Sequence, residues 1–221
     1  MLQAAEGSRF AAYAASPSVP AGVGAIVLPD VRGLHSYYCD LALRLAELGV
    51  DAIAIDYYGR TAGIGRRTDA FECMPHFERA TPSGMLADSL AAAEHLRGTG
   101  ATRLFAIGFC YGGSNAWRLA AELPGLDGAI GFYGHPHRVA DIVPRLRAPL
   151  LVIGGGADPG ISPGDLEAFT ASVRAAGGEA ELVVYPDAPH SFFDRSVPGH
   201  EAACEDAWRR MITFMGLEVR S

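Results

Sequence analysis

A cysteine flanked by glycines, an aspartate at the exit of a glycine-rich turn and a histidine just past a proline turn are the residues here whose types and spacing can do chemistry. Cys110 stands in Gly108-Phe109-Cys110-Tyr111-Gly112-Gly113. Asp158 closes Leu150-Leu151-Val152-Ile153-Gly154-Gly155-Gly156-Ala157-Asp158, and His190 closes Leu182-Val183-Val184-Tyr185-Pro186-Asp187-Ala188-Pro189-His190. Thiol, imidazole and carboxylate suit attack on a carbonyl: His190 takes the thiol proton and returns it to the leaving group, while Asp158 fixes the tautomer and supports the imidazolium. Each residue also has a plainer reading. Most free cysteines are small buried hydrophobes, and Asp158, followed by Pro159-Gly160, has the makings of a turn-former. Asp165, Asp187 and Asp194 are rivals for the acid, but Asp165 falls at a helix start and the other two crowd His190 in sequence.

The elements around these residues favour the chemical reading. Residues 103–108 read as a strand and 114–122 as a helix, so Cys110 falls in a strand-to-helix turn, a nucleophile elbow with Cys in place of Ser. Glycines flank it because a side chain there would collide with neighbouring elements, and the turn forces the central residue into a strained backbone. A thiol in the first turn of a helix is expected to gain thiolate character from the free N–H groups and the macrodipole. The Tyr111 N–H is offered to the oxyanion. The Val31 N–H, in the turn after Leu28-Pro29, is the candidate second donor.

Further apolar runs at residues 24–29, 51–56, 128–132, 150–154 and 181–185 read as strands, with a weaker one at 9–14. Helical periodicity covers 37–48, 85–96, 163–175 and 201–215. This alternation predicts an α/β fold: a mostly parallel, doubly wound sheet flanked by helices. Nucleophile, acid, histidine is the chain order of α/β-hydrolases. The 221 residues fit one domain of that kind, with no large lid domain. The irregular stretch 59–83 reads as a binding loop or small lid, or as a plain surface excursion.

Composition removes several classes. Lys+Arg 18 against Asp+Glu 25 leaves a net charge of -7 and no basic stripe, so nucleic acid is not an expected partner. No apolar run approaches a membrane span, and residues 1–8 lack the pattern of a signal peptide, so a cytoplasmic protein is expected. Cys39, Cys73, Cys110 and Cys204 form no CxxC pair, which points to free thiols rather than zinc or disulfides. His135 and His137 leave a strand at the sheet edge where ligands bind, and read as pocket-lining. Their spacing suits a metal, but no third ligand is evident. No metal and no cofactor is expected, and the partner is a small-molecule ester or lactone met by a monomer or homodimer.

With the elbow, Asp158 and His190 in hand, the chain resembles the dienelactone hydrolase family from about residue 24 to about residue 215. Gly108-Phe109-Cys110-Tyr111-Gly112-Gly113, Asp56-Tyr57-Tyr58-Gly59-Arg60 and Ala188-Pro189-His190-Ser191-Phe192 carry the resemblance. It implies hydrolysis of a cyclic enol-lactone through an acyl-thioester on the cysteine. It also implies a glutamate, after the first parallel strand, that helps the cysteine ionise. Asp30 stands at that position, one methylene shorter. The family's arginines for the substrate carboxylate have no direct match: one position falls near Ala70, and the residue four after His190 is Asp194, with Arg195 next. Arg66, Arg67 or Arg79 are the possible substitutes in the 59–83 stretch. The candidate substrate-binding residues are therefore Arg66, Phe77, His135, Phe192 and Arg195. A thioesterase or acyltransferase, and a ligand-binding or redox-sensing homologue without turnover, are the alternatives.

Overall fold

The computed structural model describes residues 1–65, 67–194 and 196–218. A short N-terminal ribbon, β1 (Leu2–Gln3) with β2 (Arg9–Phe10), leads into β3 (Ala12–Ala15), β4 (Val23–Leu28), α1 (Ser36–Ala46) and β5 (Val50–Ile55). Two single-turn helices, α2 (Gly59–Ala62) and α3 (Met74–Phe77), precede the long α4 (Pro82–Gly98). The rest alternates as β6 (Arg103–Phe109), α5 (Tyr111–Glu122), β7 (Gly128–Phe132), β8 (Leu150–Gly155), α6 (Pro163–Ala175), β9 (Ala180–Tyr185) and α7 (Glu201–Phe214). Between β7 and β8 lie 3-10 turns at Pro136–Arg138 and Ala140–Arg145.

Seven strands form the main sheet in the order β3-β5-β4-β6-β7-β8-β9, parallel throughout except for β3 against β5. Strands β4, β5, β7 and β8 are buried at every position. That is why they read as nearly continuous apolar runs: helices cover both faces. Gly128 and Gly131, three apart on β7, face opposite sides. A Cβ on Gly128 would meet Phe214 of α7, and one on Gly131 would meet Trp117 of α5. Helix α1 joins the α7 side through Arg44, 4.3 Å from the Trp208 ring. Helix α6 joins the α5 side through Phe169, 4.9 Å from Trp117. Trp117 is wholly buried, and truncating such a residue to alanine costs about 3–5 kcal/mol.

The chain passes from β4 to β5 and then returns to the other side of β4 as β6, with Leu28 in register with Gly108. Such a reversal opens a crevice at the carboxyl ends of the strands. Asp30 and Cys110 leave the two strands that bound it.

Some boundaries differ from the sequence-based expectation. The strand expected over 9–14 is split, because Ala11 turns its carbonyl to the Asp56 N–H at 2.9 Å. Helix α4 starts at Pro82 rather than at 85. Thr81 caps it through a bond from the Gly84 N–H to Oγ1 at 3.1 Å, and Pro fits the first helical position. The 59–83 stretch contains two short helices and the start of α4, and ion pairs to the buried carboxylates of Asp56 and Asp88 pin it down. Arg67 Nη2 lies 2.7 Å from Asp56 Oδ2, and Arg60 Nη1 lies 2.6 Å from Asp88 Oδ2. Among the described residues, no helix is long and apolar enough to cross a membrane.

Candidate active site

Cys110 sits at φ 53° and ψ −112°, immediately before α5. Non-glycine residues rarely occupy this region, and it persists only where the surroundings over-determine it. Here the Cys110 N–H donates to the Phe132 carbonyl at 2.9 Å, and the Cys110 carbonyl accepts from the Ser114 N–H at 3.2 Å. Glycines do the rest. A Cβ at Gly108 would strike the Gly112 carbonyl, one at Gly112 the Leu28 and Pro29 carbonyls, and one at Gly113 the Phe132 carbonyl. Among the described residues, the other non-glycine residues with positive φ are Tyr133 (39°) and Ser191 (62°). Both border the candidate base, since the Tyr133 ring lies 4.9 Å from that of His190.

The acid and the base meet as the sequence order requires. His190 Nδ1 lies 2.6 Å from Asp158 Oδ2, and the Asp158 side chain is only 2% exposed. With Nδ1 donating to the carboxylate, Nε2 keeps its lone pair for a proton. The other Asp158 oxygen accepts from the Gly160 N–H at 2.8 Å, so the turn-forming and histidine-orienting readings are both realised in one carboxylate. The two loops approach because Gly155 and Gly156 lack side chains, where a Cβ would strike the Ala188 and Pro186 carbonyls respectively. Of the rivals, Asp165 forms a capping box with Ser162 at the start of α6, Asp187 is exposed, and Asp194 pairs with Arg32.

The thiol's electrostatics run against the expectation of a stabilised thiolate. Burial pushes the Cys110 pKa up to about 11, with the charges of Asp30 and Asp158 adding to the effect. The Tyr111 N–H and Arg138 act in the favourable direction but are outweighed. At neutral pH the resting site therefore holds a protonated thiol.

Asp30 is buried beside this thiol, and a guanidinium holds its carboxylate. Arg32 Nε lies 3.1 and 3.0 Å from the two Asp30 oxygens, and Arg32 Nη2 bridges to Asp194 Oδ2 at 2.7 Å. Burial pushes the Asp194 carboxyl up, but bonds from Ser196 and Arg32 outweigh it and hold the group below its usual range. Tyrosines brace the same loop from behind. Tyr57 donates to the Asp30 carbonyl at 2.6 Å and also to that of Pro29, Tyr58 donates to the Val31 carbonyl at 2.7 Å, and the Asp30 N–H donates to the Tyr38 hydroxyl at 3.0 Å. This gives the Asp56-Tyr57-Tyr58-Gly59-Arg60 segment its physical purpose, which is to lock the carbonyls of residues 29–31. Among the described residues nothing accepts from the Val31 N–H, which leaves it open as an oxyanion donor alongside Tyr111.

The candidate substrate contacts divide. Phe77, on α3, packs edge-on against Tyr111 at 4.9 Å. His135 is clamped by Ser114, whose Oγ accepts from the His135 N–H at 2.8 Å, and its ring lies 6.2 Å from that of His190. Phe192 is a correction: it is fully buried and packs against Tyr133 and Tyr185, so its ring belongs to the core and not to an accessible lining. Arg67 is also removed, because it turns inward onto Asp56. Arg66 and Arg195 lie outside the described residues. Two residues escaped the sequence reading. Arg32 is one; its signal was a cation two places after a candidate acid. Arg138 is the other, 5.4 and 5.6 Å from the Phe77 and Tyr111 ring centres, and it directly follows the His135-Pro136-His137 run. Among the described residues, no group of three or more His, Cys, Asp or Glu side chains is arranged to hold a metal ion.

An elbow cysteine and an Asp–His pair at the carboxyl edge of a mostly parallel sheet, in this chain order, define the α/β-hydrolase class. Within that class the chain belongs to the dienelactone hydrolase family, whose family model matches residues 10–218, and it is a hydrolase acting on carboxylic ester bonds. It is 35% identical over 224 residues to the "Putative carboxymethylenebutenolidase" of Salmonella typhimurium, covering 95% of this chain and 83% of that protein. It is 30% identical over 219 residues to the "Probable 2-oxo-3-(5-oxofuran-2-ylidene)propanoate lactonase" of Bradyrhizobium sp, covering 92% and 88%. The crystal structure of a "Putative Dienelactone Hydrolase" from Klebsiella pneumoniae superposes with a TM-score of 0.84 at 30% identity, covering 98% of this chain and 97% of that one.

Proposed function

We propose that the chain hydrolyses a small carboxylic ester or lactone through an acyl-thioester on Cys110. The Sγ bonds to the carbonyl carbon while His190 Nε2 takes the thiol proton, and the N–H groups of Val31 and Tyr111 receive the oxyanion. Collapse breaks the carbon–oxygen bond, and His190 protonates the leaving oxygen. Water then attacks the thioester with His190 as base, the carbon–sulfur bond breaks, and the thiol regains its proton. Asp158 holds His190 in the required tautomer throughout, and Asp30 governs when the thiol ionises.

The observation carrying this reading is the strained Cys110 elbow on the same sheet edge as the 2.6 Å Asp158–His190 bond. A turn at φ 53° that needs three glycines to exist has no structural use unless the side chain it projects does work. The thiol's pKa of about 11 weighs against a redox sensor, which needs an exposed, low-pKa thiolate. The family arginine positions fall near Ala70 and on Asp194, and Arg32 is engaged by two carboxylates, so Arg138, beside Phe77 and Tyr111, is a cation that could meet a substrate carboxylate in their place.

The test compares wild type and Cys110→Ala on short-chain aryl esters and lactones, with intact mass measured after brief mixing. Wild type should turn over and carry a transient acyl adduct, and Cys110→Ala should do neither. Equal turnover by both would sink the assignment. Product analysis with added alcohols or thiols separates hydrolysis from acyl transfer.

A further inference from the structure

Beside the catalytic edge runs a second concavity of about 600 Å³, a volume suited to a small organic ligand. One wall is the 3-10 segment, with Pro136, Ala140 and Val143, and the other is α6 with the loop before it, including Ile161, Ala168 and Phe169. At its inner end, nearest the catalytic pair, stand His135 and Gly160. Those two residues adjoin the catalytic pair: the His135 ring is 6.2 Å from that of His190, and the Gly160 N–H bonds to Asp158. The cavity thus adjoins the base side of the site, and neither Phe77 nor Tyr111 lines it.

The lining sets the chemistry of an occupant. The walls are mostly aliphatic and aromatic, with His137, Asp165 and Ser172 the polar side chains on them. Burial, then the neighbouring His137 and His190, push the His135 pKa down, so a neutral imidazole stands at the inner end. Asp165 also lines the cavity, but its carboxylate accepts from Ser162 within the α6 cap, the hydroxyl bond measuring 2.7 Å. Most of the lining is apolar, so an apolar group loses little by entering.

We propose that this groove is the alcohol subsite: it receives the apolar, aryl-sized alcohol part of the ester. The inference rests on the hydrolase reading above. In that reaction His190 delivers a proton to the leaving oxygen, so the carbon attached to that oxygen must lie beside the His190 ring. From there the path past His135 leads into the groove, while the acyl part stays on the Val31, Tyr111 and Phe77 side.

Ala168 and Ala140 are exposed on opposite walls, so Ala168→Trp and Ala140→Trp fill the groove without disturbing the core, and a thermal melt checks folding. The selectivity of kcat/KM for 2-naphthyl acetate over methyl acetate should fall about tenfold in each variant. The selectivity for methyl 2-naphthoate over methyl acetate, which enlarges the acyl part, should hold. An unchanged alcohol selectivity, or a loss confined to the acyl series, overturns the subsite. Equilibrium binding of 2-naphthol, followed by its fluorescence, separates the two levels of argument. If wild type cleaves no ester, the hydrolase reading falls and naphthol binding alone decides the groove. Binding weakened about tenfold by either tryptophan upholds it, and binding absent or indifferent to both refutes it.

Discussion

Asp158 and Asp30 occupy similar places, each just beyond the carboxyl end of a parallel strand and each nearly buried, yet their company differs. Asp158 gives one oxygen to His190 and one to a backbone N–H. Asp30 gives both of its oxygens to Arg32, which Asp194 holds from the other side. One carboxylate is built into a base, and the other faces a guanidinium while its charge bears on the thiol. A strand-end position tells where a carboxylate sits, but its partner decides what it does. On the histidine side the imidazole is therefore held in one tautomer at rest. The Asp30 side is wired for restraint.

The largest effect that tests this contrast is on the histidine side. Asp158→Asn removes the acceptor that selects the His190 tautomer, and kcat/KM should fall about 10³–10⁴-fold. His190→Ala removes the base itself and should cost at least as much, with the fold intact by circular dichroism. Near-normal rates in His190→Ala would move the base to His135 or His137 and erase the distinction between the two sides.

A smaller effect belongs to the clasp. Arg32→Met leaves Asp30 and Asp194 facing each other without their shared cation. Removing one partner of a buried pair is costly, but Arg32 keeps 35% of its side chain in water, which moderates the loss to about 1–2 kcal/mol. Urea denaturation at neutral pH measures it. The sign with pH follows from Asp194, whose folded-state pKa is lowered. Its contribution is present above the ordinary carboxylate range and is lost as pH falls, so wild type and Arg32→Met should converge in acid. A gap that persists there would show that Arg32 acts by packing alone.

The same contrast explains what the sequence made legible. The elbow, Asp158 and His190 could be read because each stands at the end of an apolar run, with glycines marking where backbones touch. Gly155 and Gly156 are such marks, since side chains at neither position would let the two loops meet. The Arg32–Asp194 contact joins residues 162 positions apart, and no periodicity encodes which arginine will fold back onto which acid. Arg67 illustrates the same limit: composition supplied a loop arginine, and packing turned it onto Asp56. The thiolate expectation erred differently. The helix terminus does act on Cys110 in the expected direction, but desolvation and a neighbouring charge, both tertiary quantities, are larger. Phe192 was read from its motif, whereas its burial depends on packing against Tyr133 and Tyr185.

The finest test sits on Asp30 itself, where restraint and assistance predict opposite movements of two observables. Iodoacetamide reports the resting thiol: with a pKa of about 11, wild-type alkylation should climb roughly tenfold per pH unit through neutral pH and level off only near that value. Asp30→Asn removes a negative charge that opposes ionisation, so the plateau should move to lower pH and alkylation at about pH 8 should quicken. If Asp30 is only a brake, ester turnover quickens with it. If Asp30 also accepts or relays the thiol proton when a carbonyl is bound, turnover falls while alkylation rises. That split, a more reactive thiol in a slower enzyme, would place Asp30 in the reaction rather than beside it, because no change in resting charge alone can drive the two rates apart.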